Sequence, residues 1–191
     1  MDKINKNKII GITGAFGSGK STAASFFEKK GFARIYLSQF LEEEAKKRGV
    51  RKITRKVLQD LGNYFRKKYG KGILAKRALG YLGEVNKNIA IDGIRNPGEI
   101  EIFRKNKNFL LLGIVCDRKV RFERLRKLKR REELTWDLFE KLDKRDLGLG
   151  QKETGLKVAE CLAMADIFIE TNTTLEVFNK KLEKFIEKHG K

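Results

Sequence analysis

Cysteine, histidine and proline are scarce in this chain of 191 residues, which has two cysteines, one histidine and one proline. Cys116 and Cys161 lack C-x-x-C spacing and His189 stands alone, so the sequence contains no recognisable Cys/His metal site. The fold therefore needs no disulfide framework, and we expect both cysteines to be small core residues. Pro97 is the only proline, and the lack of repeats, low-complexity segments and linkers favours a single domain over residues 1–191.

Long apolar runs are missing as well. Residues 1–8 contain no apolar signal core, and no apolar run elsewhere is long enough to span a bilayer. We therefore expect a cytoplasmic protein with no membrane partner.

Acidic residues are too few to balance the basic ones: 25 Asp and Glu face 44 Lys and Arg, which gives a net charge of +19. Such an excess raises the hypothesis of a nucleic-acid partner. The lysines are spread over the whole chain, however, and mix with glutamates at helical spacing, as in residues 42–48. An enzyme that binds polyphosphates also needs positive potential near its cleft, so a nucleic-acid partner is not the favoured interpretation.

The most informative stretch is Gly14–Ser21, which reads G-x-x-x-x-G-K-S. An apolar run over residues 8–13 precedes it, and a helical pattern over residues 22–30 follows it and stops at Gly31. Strand, glycine loop and helix in this order are the context in which the motif binds phosphate.

Each part of this motif has a physical role. The glycines let backbone N–H groups close around phosphate oxygens, and the positive end of the following helix points at the same oxygens. Lys20 adds a charge near the β- and γ-phosphates, and Ser21 offers a hydroxyl to Mg²⁺. The predicted ATP-binding residues are Gly14, Ala15, Phe16, Gly17, Ser18, Gly19, Lys20, Ser21 and Thr22.

Apolar runs recur along the chain with helical patterns between them. The predicted strands cover residues 9–13, 33–37, 88–92, 109–116 and 166–170. This alternation predicts an α/β fold with three layers, in which helices cover both faces of a doubly wound, five-stranded parallel sheet. A helical insertion is expected at about residues 38–86, between strands two and three, and a basic lid at about residues 124–152, after strand four.

Ligands bind at the carboxyl ends of such strands. Asp92 lies at the end of strand three, where a carboxylate can hold Mg²⁺ or its waters, and Arg95 can donate two hydrogen bonds to a phosphate. The structural alternatives are a turn or cap role for Asp92 and a surface ion pair of Arg95 with Glu99 or Glu101.

Two further basic segments are candidates for substrate contacts. After strand four, Arg124, Arg130 and Arg131 are candidates for a flap that neutralises the transferring phosphate, and an arginine there can also stack on adenine. The insertion mixes basic residues with aromatics, among them Arg66 and Tyr64, and could hold a second substrate. For both segments a solvated basic helix remains the alternative.

These motifs make the chain resemble the P-loop nucleoside/nucleotide kinase group, which includes nucleoside monophosphate kinases and dephospho-CoA kinases. Asp92-Gly93-Ile94-Arg95 resembles the Asp-Gly-x-x-Arg stretch of adenylate-kinase-like enzymes, whose arginine holds the acceptor phosphate. Residues 124–131 are similar to the start of their lid, and residues 165–176 to the closing strand and helix of dephospho-CoA kinases. Residues 62–70 and 92–99 resemble kinase-like domains found fused to deoxycytidylate deaminases, although the sequence contains no deaminase H-x-E or P-C-x-x-C signature.

The resemblance implies an ATP- and Mg²⁺-dependent kinase and leaves two acceptors. A ribose hydroxyl, as in dephospho-CoA, profits from a carboxylate base, and such enzymes carry an aspartate just after strand two. Here that place holds Tyr36-Leu37-Ser38-Gln39, with no acid before Glu42. The phosphate of a nucleoside monophosphate needs no base, since positioning and charge neutralisation suffice.

We therefore predict a kinase for a nucleoside or deoxynucleoside monophosphate, with dephospho-CoA kinase as the first alternative. A non-catalytic P-loop protein that contacts nucleic acid is the second. We expect a small-molecule phosphate acceptor as partner, and a monomer or homodimer. The predicted catalytic residues are Lys20, Asp92, Arg95, Arg130 and Arg131; Ser21 and Asp92 would hold the metal, Arg124 the nucleotide, and Ser38, Tyr64, Arg66, Arg95 and Asn96 the acceptor.

Overall fold

A five-stranded sheet forms the centre of the molecule. The computed structural model describes residues 7–81, 86–128 and 133–190. The strands are β1 (Ile9–Thr13), β2 (Ala33–Tyr36), β3 (Ile89–Ile94), β4 (Phe109–Val115) and β5 (Ile167–Glu170). Their order is β2-β3-β1-β4-β5 and every neighbouring pair is parallel, which confirms the predicted sheet.

Helices connect the strands. They are α1 (Lys20–Lys29), α2 (Gln39–Lys47), α3 (Arg55–Tyr69), α4 (Ile73–Tyr81), α5 (Pro97–Phe103), α6 (Arg118–Leu128), α7 (Trp136–Leu147), α8 (Val158–Ala163) and α9 (Leu175–His189). Helices α2, α3 and α4 lie between β2 and β3, within the segment predicted as an insertion. None of the helices in the described part of the chain is long and apolar enough to cross a membrane.

Apolar residues on both sides of the sheet explain the three layers. Successive strand residues point to opposite faces: Ile9 packs with Leu58, Phe65 and the other core residues of one face, whereas Ile10 packs with Phe27 and its cluster on the other. All residues of β1 are buried. A central parallel strand is therefore apolar throughout because helices cover both of its faces.

Strand β3 is longer than the sequence predicted. The predicted strand ends at Asp92, whereas the observed one continues to Ile94 with an irregular register opposite Ile12 and Thr13. Gly93 has a φ of 92°, which a glycine adopts without steric cost, and the Thr13 hydroxyl donates to the Ile94 carbonyl. This irregularity places Asp92 inside the strand, and Arg95 is the first residue after the strand.

Candidate active site

The phosphate loop joins β1 to α1 through glycines with positive φ. Gly14 has a φ of 151° and Gly17 a φ of 83°. A Cβ atom at Gly14 would lie 2.3 Å from the Ile114 carbonyl oxygen, and one at Gly17 would lie 2.7 Å from Leu125 Cδ1. Only glycine fits both positions. The close packing of Ile114 and Leu125 behind the loop therefore explains why the motif has glycines there.

Lys20 begins α1 and folds back over the loop. Its Nζ donates to the carbonyl oxygens of Gly14, at 2.6 Å, and Ala15, at 2.8 Å. Burial, followed by the charge of Arg95, lowers the pKa of Lys20 to about 7; Arg55 lowers the pKa further, while Asp146 and Asp92 raise it. The ammonium charge that the loop offers therefore depends on four ionised side chains around it.

A cavity of about 720 Å³ opens in front of the loop. Several of the predicted site residues lie on its wall: Phe16, Gly17, Ser18, Gly19, Lys20, Ser21, Thr22, Ser38, Asp92 and Arg95. The sequence did not single out Arg55, which lies there too. Gln39 and Glu42, at the start of α2, are also part of the wall. Residues from the loop, from α2, from α3 and from β3 thus meet around one cavity.

Asp92 is paired with an arginine that sequence reasoning missed. Arg34 of β2 donates through Nη2 to Asp92 Oδ2 and to the Ser21 carbonyl, both at 3.1 Å. The Arg34 and Asp92 side chains are 5% and 6% exposed, so the ion pair is buried. The signal in the sequence is an arginine inside a predicted strand. The neighbouring Arg34, Asp92 and Ser21 connect β2, β3 and α1 at the edge of the cavity.

Arg95 and Arg55 share one carboxylate, that of Asp146 in α7. Asp146 Oδ1 accepts from Arg55 Nη2 at 3.0 Å and from Arg95 Nη1 at 3.4 Å. Burial raises the pKa of Asp146, but Arg55, Arg95 and Lys20 outweigh it and hold this pKa below its usual value. The expected alternative for Arg95, a surface pair with Glu99 or Glu101, is wrong for the guanidinium, although the Arg95 backbone N–H does donate to Glu99 Oε2.

Asn96 was expected to bind the acceptor, and its side chain is instead structural. Its Oδ1 accepts from the Gly98 N–H at 2.9 Å in the capping box that begins α5. Its Nδ2 donates to the carbonyl oxygens of Glu153, at 3.1 Å, and Gly155, at 2.8 Å. The amide is fully buried and its groups are used within the protein. Asn96 therefore positions the turn that carries Arg95.

Arg66 was also expected at the acceptor and lies away from the wall of the large cavity. Its Nε and Nη2 contact Glu99 Oε1 at 2.9 and 2.8 Å, and both side chains are buried. Glu99 Oε2 accepts from the backbone N–H groups of Arg95 and Asn96. A small pocket beside the cavity is lined by Arg66 together with Ser38 and Arg95. Arg66 thus supports the Arg95 backbone through Glu99.

Tyr64 is on the outer face of α3 and does not line the large cavity, so its expected contact with the acceptor stays a prediction. The residue is 41% exposed and its ring lies 4.9 Å from the Arg48 guanidinium. The inward face of α3 carries Leu58, Leu61 and Phe65. The helical pitch turns Tyr64 away from these neighbours and toward solvent.

Ser38 and Arg124 were expected to contact the acceptor and the nucleotide, respectively. Ser38 occupies the N-cap position of α2, but within the described residues its side chain makes no capping hydrogen bond. Arg124 donates to Thr171 Oγ1 at 3.0 Å and to the carbonyl oxygen of Thr171, while the Thr171 hydroxyl donates to the Ser18 carbonyl. Arg124 is thus bound behind the phosphate loop, and its contact with a nucleotide stays a prediction. Arg130 and Arg131 lie outside the described residues.

The comparisons with known proteins agree with this geometry. A family model described as an AAA domain matches residues 10–148. UPF0200 protein PH1008 from Pyrococcus horikoshii is 34% identical over 187 residues, which cover 94% of this chain and 96% of that protein.

Two solved kinases share the fold at low sequence identity. Shikimate kinase from Acinetobacter baumannii superposes with a TM-score of 0.57 at 15% identity, over 98% of this chain and 97% of the other. Dephospho-CoA kinase from Campylobacter jejuni gives a TM-score of 0.54 at 15% identity, over 94% and 96%. At this identity the likeness extends to the fold alone. The chain belongs to the UPF0200 family, and its AAA domain, with a nucleotide-binding phosphate loop, has the fold of the P-loop kinases.

Proposed function

We propose that this protein is an ATP- and Mg²⁺-dependent kinase that transfers the γ-phosphate to a nucleoside or deoxynucleoside monophosphate. One observation carries the proposal: Arg55 and Arg95 reach the wall of the same cavity as the phosphate loop, from two different segments. A pair of guanidinium groups suits an acceptor that is itself a phosphate.

The nucleotide would bind along the phosphate loop. The glycines of the loop allow the backbone to approach phosphate oxygens, and α1 begins at Lys20, directly behind the loop. Lys20 would leave the carbonyl oxygens of Gly14 and Ala15 and bind the phosphates. The negative phosphates would then stabilise the protonated form of Lys20, which burial disfavours in the protein alone.

The residues fit a magnesium ion held partly by the nucleotide. Ser21 and Asp92 offer a hydroxyl and a carboxylate on the cavity wall, and both are oxygen ligands of the kind that Mg²⁺ prefers. The described residues contain no group of three or more His, Cys, Asp or Glu side chains that could hold a metal without a nucleotide. When bound, the ion would supply positive charge to the phosphate oxygens. Arg34 would orient the Asp92 carboxylate toward this place.

The acceptor would lie between the loop and α3. Arg55 and Arg95 would bind its phosphate, and Ser38 lies on the same wall. A phosphate dianion attacks without a general base, so orientation and charge neutralisation carry the reaction. The segment Tyr36-Leu37-Ser38-Gln39, which contains no acid, agrees with this acceptor.

Dephospho-CoA kinase is the second candidate, and Glu42 is the observation that favours it. The Glu42 carboxylate is on the cavity wall beside Ser38 and Gln39. A carboxylate near the acceptor could take the proton of an attacking hydroxyl. The shared fold with a dephospho-CoA kinase is compatible with this alternative.

A single panel separates these candidates. ADP release is measured with ATP and Mg²⁺ and each ribo- and deoxynucleoside monophosphate, dephospho-CoA, shikimate and gluconate. We expect turnover with at least one monophosphate, which Lys20→Ala abolishes and Lys67→Ala, a change at an exposed lysine, leaves intact. Turnover with dephospho-CoA alone, lost in Glu42→Gln, would select the second candidate. ADP release that no tested acceptor increases would contradict both candidate functions.

Arg95→Ala tests the acceptor site within the same panel. We expect a tenfold or larger loss of kcat/KM for the acceptor, about 1.4 kcal/mol or more, and a much smaller change in ATP affinity. Equal losses for both substrates would move Arg95 from the acceptor to the nucleotide.

A further inference from the structure

Helix α7 carries two buried aspartates one turn apart, and they hold arginines in different ways. Asp143 binds Arg121 with both carboxylate oxygens, and the contact between Oδ2 and Nη2 is 3.0 Å long. Arg121 also donates to the carbonyl oxygens of Phe16 and Cys116. A two-oxygen pair of this kind fixes both partners in one geometry. Asp143 is a structural anchor behind the phosphate loop.

Asp146 uses one oxygen for two arginines. Arg55 and Arg95 both donate to its Oδ1, the second across 3.4 Å. Its Oδ2 is buried and receives no hydrogen bond from any group in residues 7–81, 86–128 and 133–190. A buried carboxylate oxygen without a donor is unfavourable. Asp146 thus restrains its two arginines through a single oxygen, one of them across a long 3.4 Å contact, whereas Asp143 uses both oxygens for Arg121.

The two arginines have support that does not depend on Asp146. The Arg55 guanidinium stacks on the Phe16 ring at 4.4 Å from its centroid. The Arg95 backbone N–H is bound by Glu99. Both side chains line the large cavity, so each guanidinium can turn to a new anion while its backbone stays in place.

From this geometry we infer that Asp146 is an internal competitor of the acceptor: its carboxylate holds Arg55 and Arg95 on the cavity wall and gives them up to the acceptor's anionic group. The inference rests on the proposed function for the identity of that group as a phosphate. Asp146 is a positioning residue, since it acts on the acceptor through the arginines.

The competition also determines specificity. A carboxylate carries one negative charge, like Asp146, and gains little by replacing it on the same two arginines. A phosphate dianion carries two charges and more acceptor oxygens, so it competes better. A phosphate monoester can therefore displace Asp146 from the two arginines, whereas a carboxylate-bearing acceptor gains little by doing so.

Anion binding tests this inference without turnover. The phosphate loop is first saturated with a non-hydrolysable ATP analogue and Mg²⁺, and inorganic phosphate is then titrated by calorimetry. Asp146→Asn removes the competing charge and keeps the shape of the side chain. We expect phosphate to bind about tenfold more tightly to Asp146→Asn than to the parent protein, because one negative charge next to the site is lost. Acetate, which carries one charge, should gain no more than phosphate does.

Asp143→Asn is the matched control, because it changes a buried aspartate on the same helix whose arginine is not on the cavity wall. It should lower stability; because the phosphate loop is already saturated with the ATP analogue, it should not tighten phosphate binding as Asp146→Asn does. Unchanged or weaker phosphate binding in Asp146→Asn, the same gain in Asp143→Asn, or no phosphate binding to either protein would overturn the inference.

A measurement on the parent protein covers the case in which Asp146→Asn does not fold. Arginine side-chain ¹⁵N spectra, assigned with Arg55→Lys and Arg95→Lys, should show both guanidinium signals shift when phosphate is added, while the Arg121 signal stays. Signals of Arg55 and Arg95 that do not respond would contradict the inference. Neither experiment needs an acceptor to be phosphorylated. A negative result in the kinase panel would therefore contradict the proposed function, whereas a negative result here would contradict only the role of Asp146.

Discussion

Four ionised side chains surround Lys20 and set the charge that the phosphate loop can offer. Burial, Arg95 and Arg55 lower its pKa, and Asp146 and Asp92 raise it. The ammonium group is bound by two carbonyl oxygens of its own loop. A bound polyphosphate adds negative charge at this point and so favours the protonated lysine. Nucleotide binding is therefore coupled to the uptake of a proton by Lys20.

This coupling predicts a pH dependence of ATP affinity. With a pKa of about 7, Lys20 is protonated below pH 7 and neutral above it in the protein alone. The complex takes up a proton above pH 7, so we expect the affinity for ATP to fall as the pH rises from 7 to 9. Calorimetry in buffers of different ionisation enthalpy measures both the affinity and the proton uptake.

Lys20→Arg is the control for this prediction, because an arginine stays charged over the whole range. Its ATP affinity should be flat between pH 7 and 9, even if it is lower. A parent protein with the same flat profile would show that Lys20 is charged in the protein alone and that the two carboxylates outweigh burial.

Two glycines with similar positive φ separate backbone strain from close packing. Gly17 and Gly31 both have positive φ, but a Cβ at Gly31 would meet nothing within 4 Å, whereas one at Gly17 would meet Leu125. We expect Gly31→Ala to cost about 1 kcal/mol of unfolding free energy. Gly17→Ala should cost about 1–3 kcal/mol more, because Leu125 of α6 must move.

Denaturant unfolding measures both costs, and ATP titration separates the two variants further. Only Gly17→Ala should weaken ATP binding, since only Gly17 is in the phosphate loop. Equal losses of unfolding free energy in the two variants would mean that α6 adapts to the larger residue at no cost in stability.

At the scale of the elements, the capping of α5 determines where Arg95 lies. Asn96 caps the helix, Glu99 returns to the backbone N–H groups of Arg95 and Asn96, and Arg66 neutralises Glu99. Pro97 starts the helix with a φ that is already suitable. A short helix, a capping box and a buried ion pair thus fix the turn that presents Arg95 to the cavity.

We predict that Asn96→Ala lowers both stability and acceptor affinity. The loss of its hydrogen bonds leaves the carbonyl oxygens of Glu153 and Gly155, the second of them buried, without this donor, at a cost of about 1–3 kcal/mol. Because Arg95 is the preceding residue, the KM for the acceptor should rise. Thermal unfolding and steady-state kinetics measure the two effects.

Thr174→Ala is the matched change at another N-cap, that of α9, where the hydroxyl accepts from the Val177 N–H. It should cost about 1 kcal/mol of stability and leave the KM unchanged. A rise in KM of the same size in both variants would show that general loosening, and not the position of Arg95, is responsible.

At the scale of the molecule, α3, one of the helices inserted between β2 and β3, packs against α7. Gln59 of α3 donates to the Leu142 carbonyl, and Asp60 pairs with Arg145, beside the pair of Arg55 with Asp146. Helix α7 belongs to the segment predicted as a lid, and it packs against α3 and α8. The cavity is lined from both segments, by Arg55 of the insertion and by Leu125, Leu128 and Leu134 of the predicted lid.

The net charge of +19 gives a prediction about partners. If the charge serves a small phosphorylated acceptor, any binding of RNA or DNA should be weak and should disappear by about 0.2 M salt, because phosphate-backbone binding is strongly salt-dependent. Filter binding at several salt concentrations measures this. A complex that survives high salt, in a protein that phosphorylates no small acceptor, would favour the alternative of a P-loop protein that contacts nucleic acid.

Features contained in one contiguous stretch of sequence could be predicted from the sequence. The phosphate loop follows from Gly14 to Ser21 and its flanks, and the five strands follow from short apolar runs separated by helical periodicities. These signals are local, because strand and helix periodicity and glycine conformation act over a few residues. The structure confirms the parallel sheet and the P-loop kinase fold that these local signals predicted.

Only the tertiary structure decided which charges meet. Arg34 pairs with Asp92 across 58 residues of sequence, Arg66 with Glu99 across 33 and Arg55 with Asp146 across 91. In a chain with 44 basic and 25 acidic residues, no pattern distinguishes these pairs from the many exposed ones. The partner of a buried charge is set by the packing of the helices on the sheet, since desolvation makes an unpaired charge costly wherever it is buried. The sequence therefore determined the phosphate loop and the sheet, and packing decided the arginines and carboxylates around them.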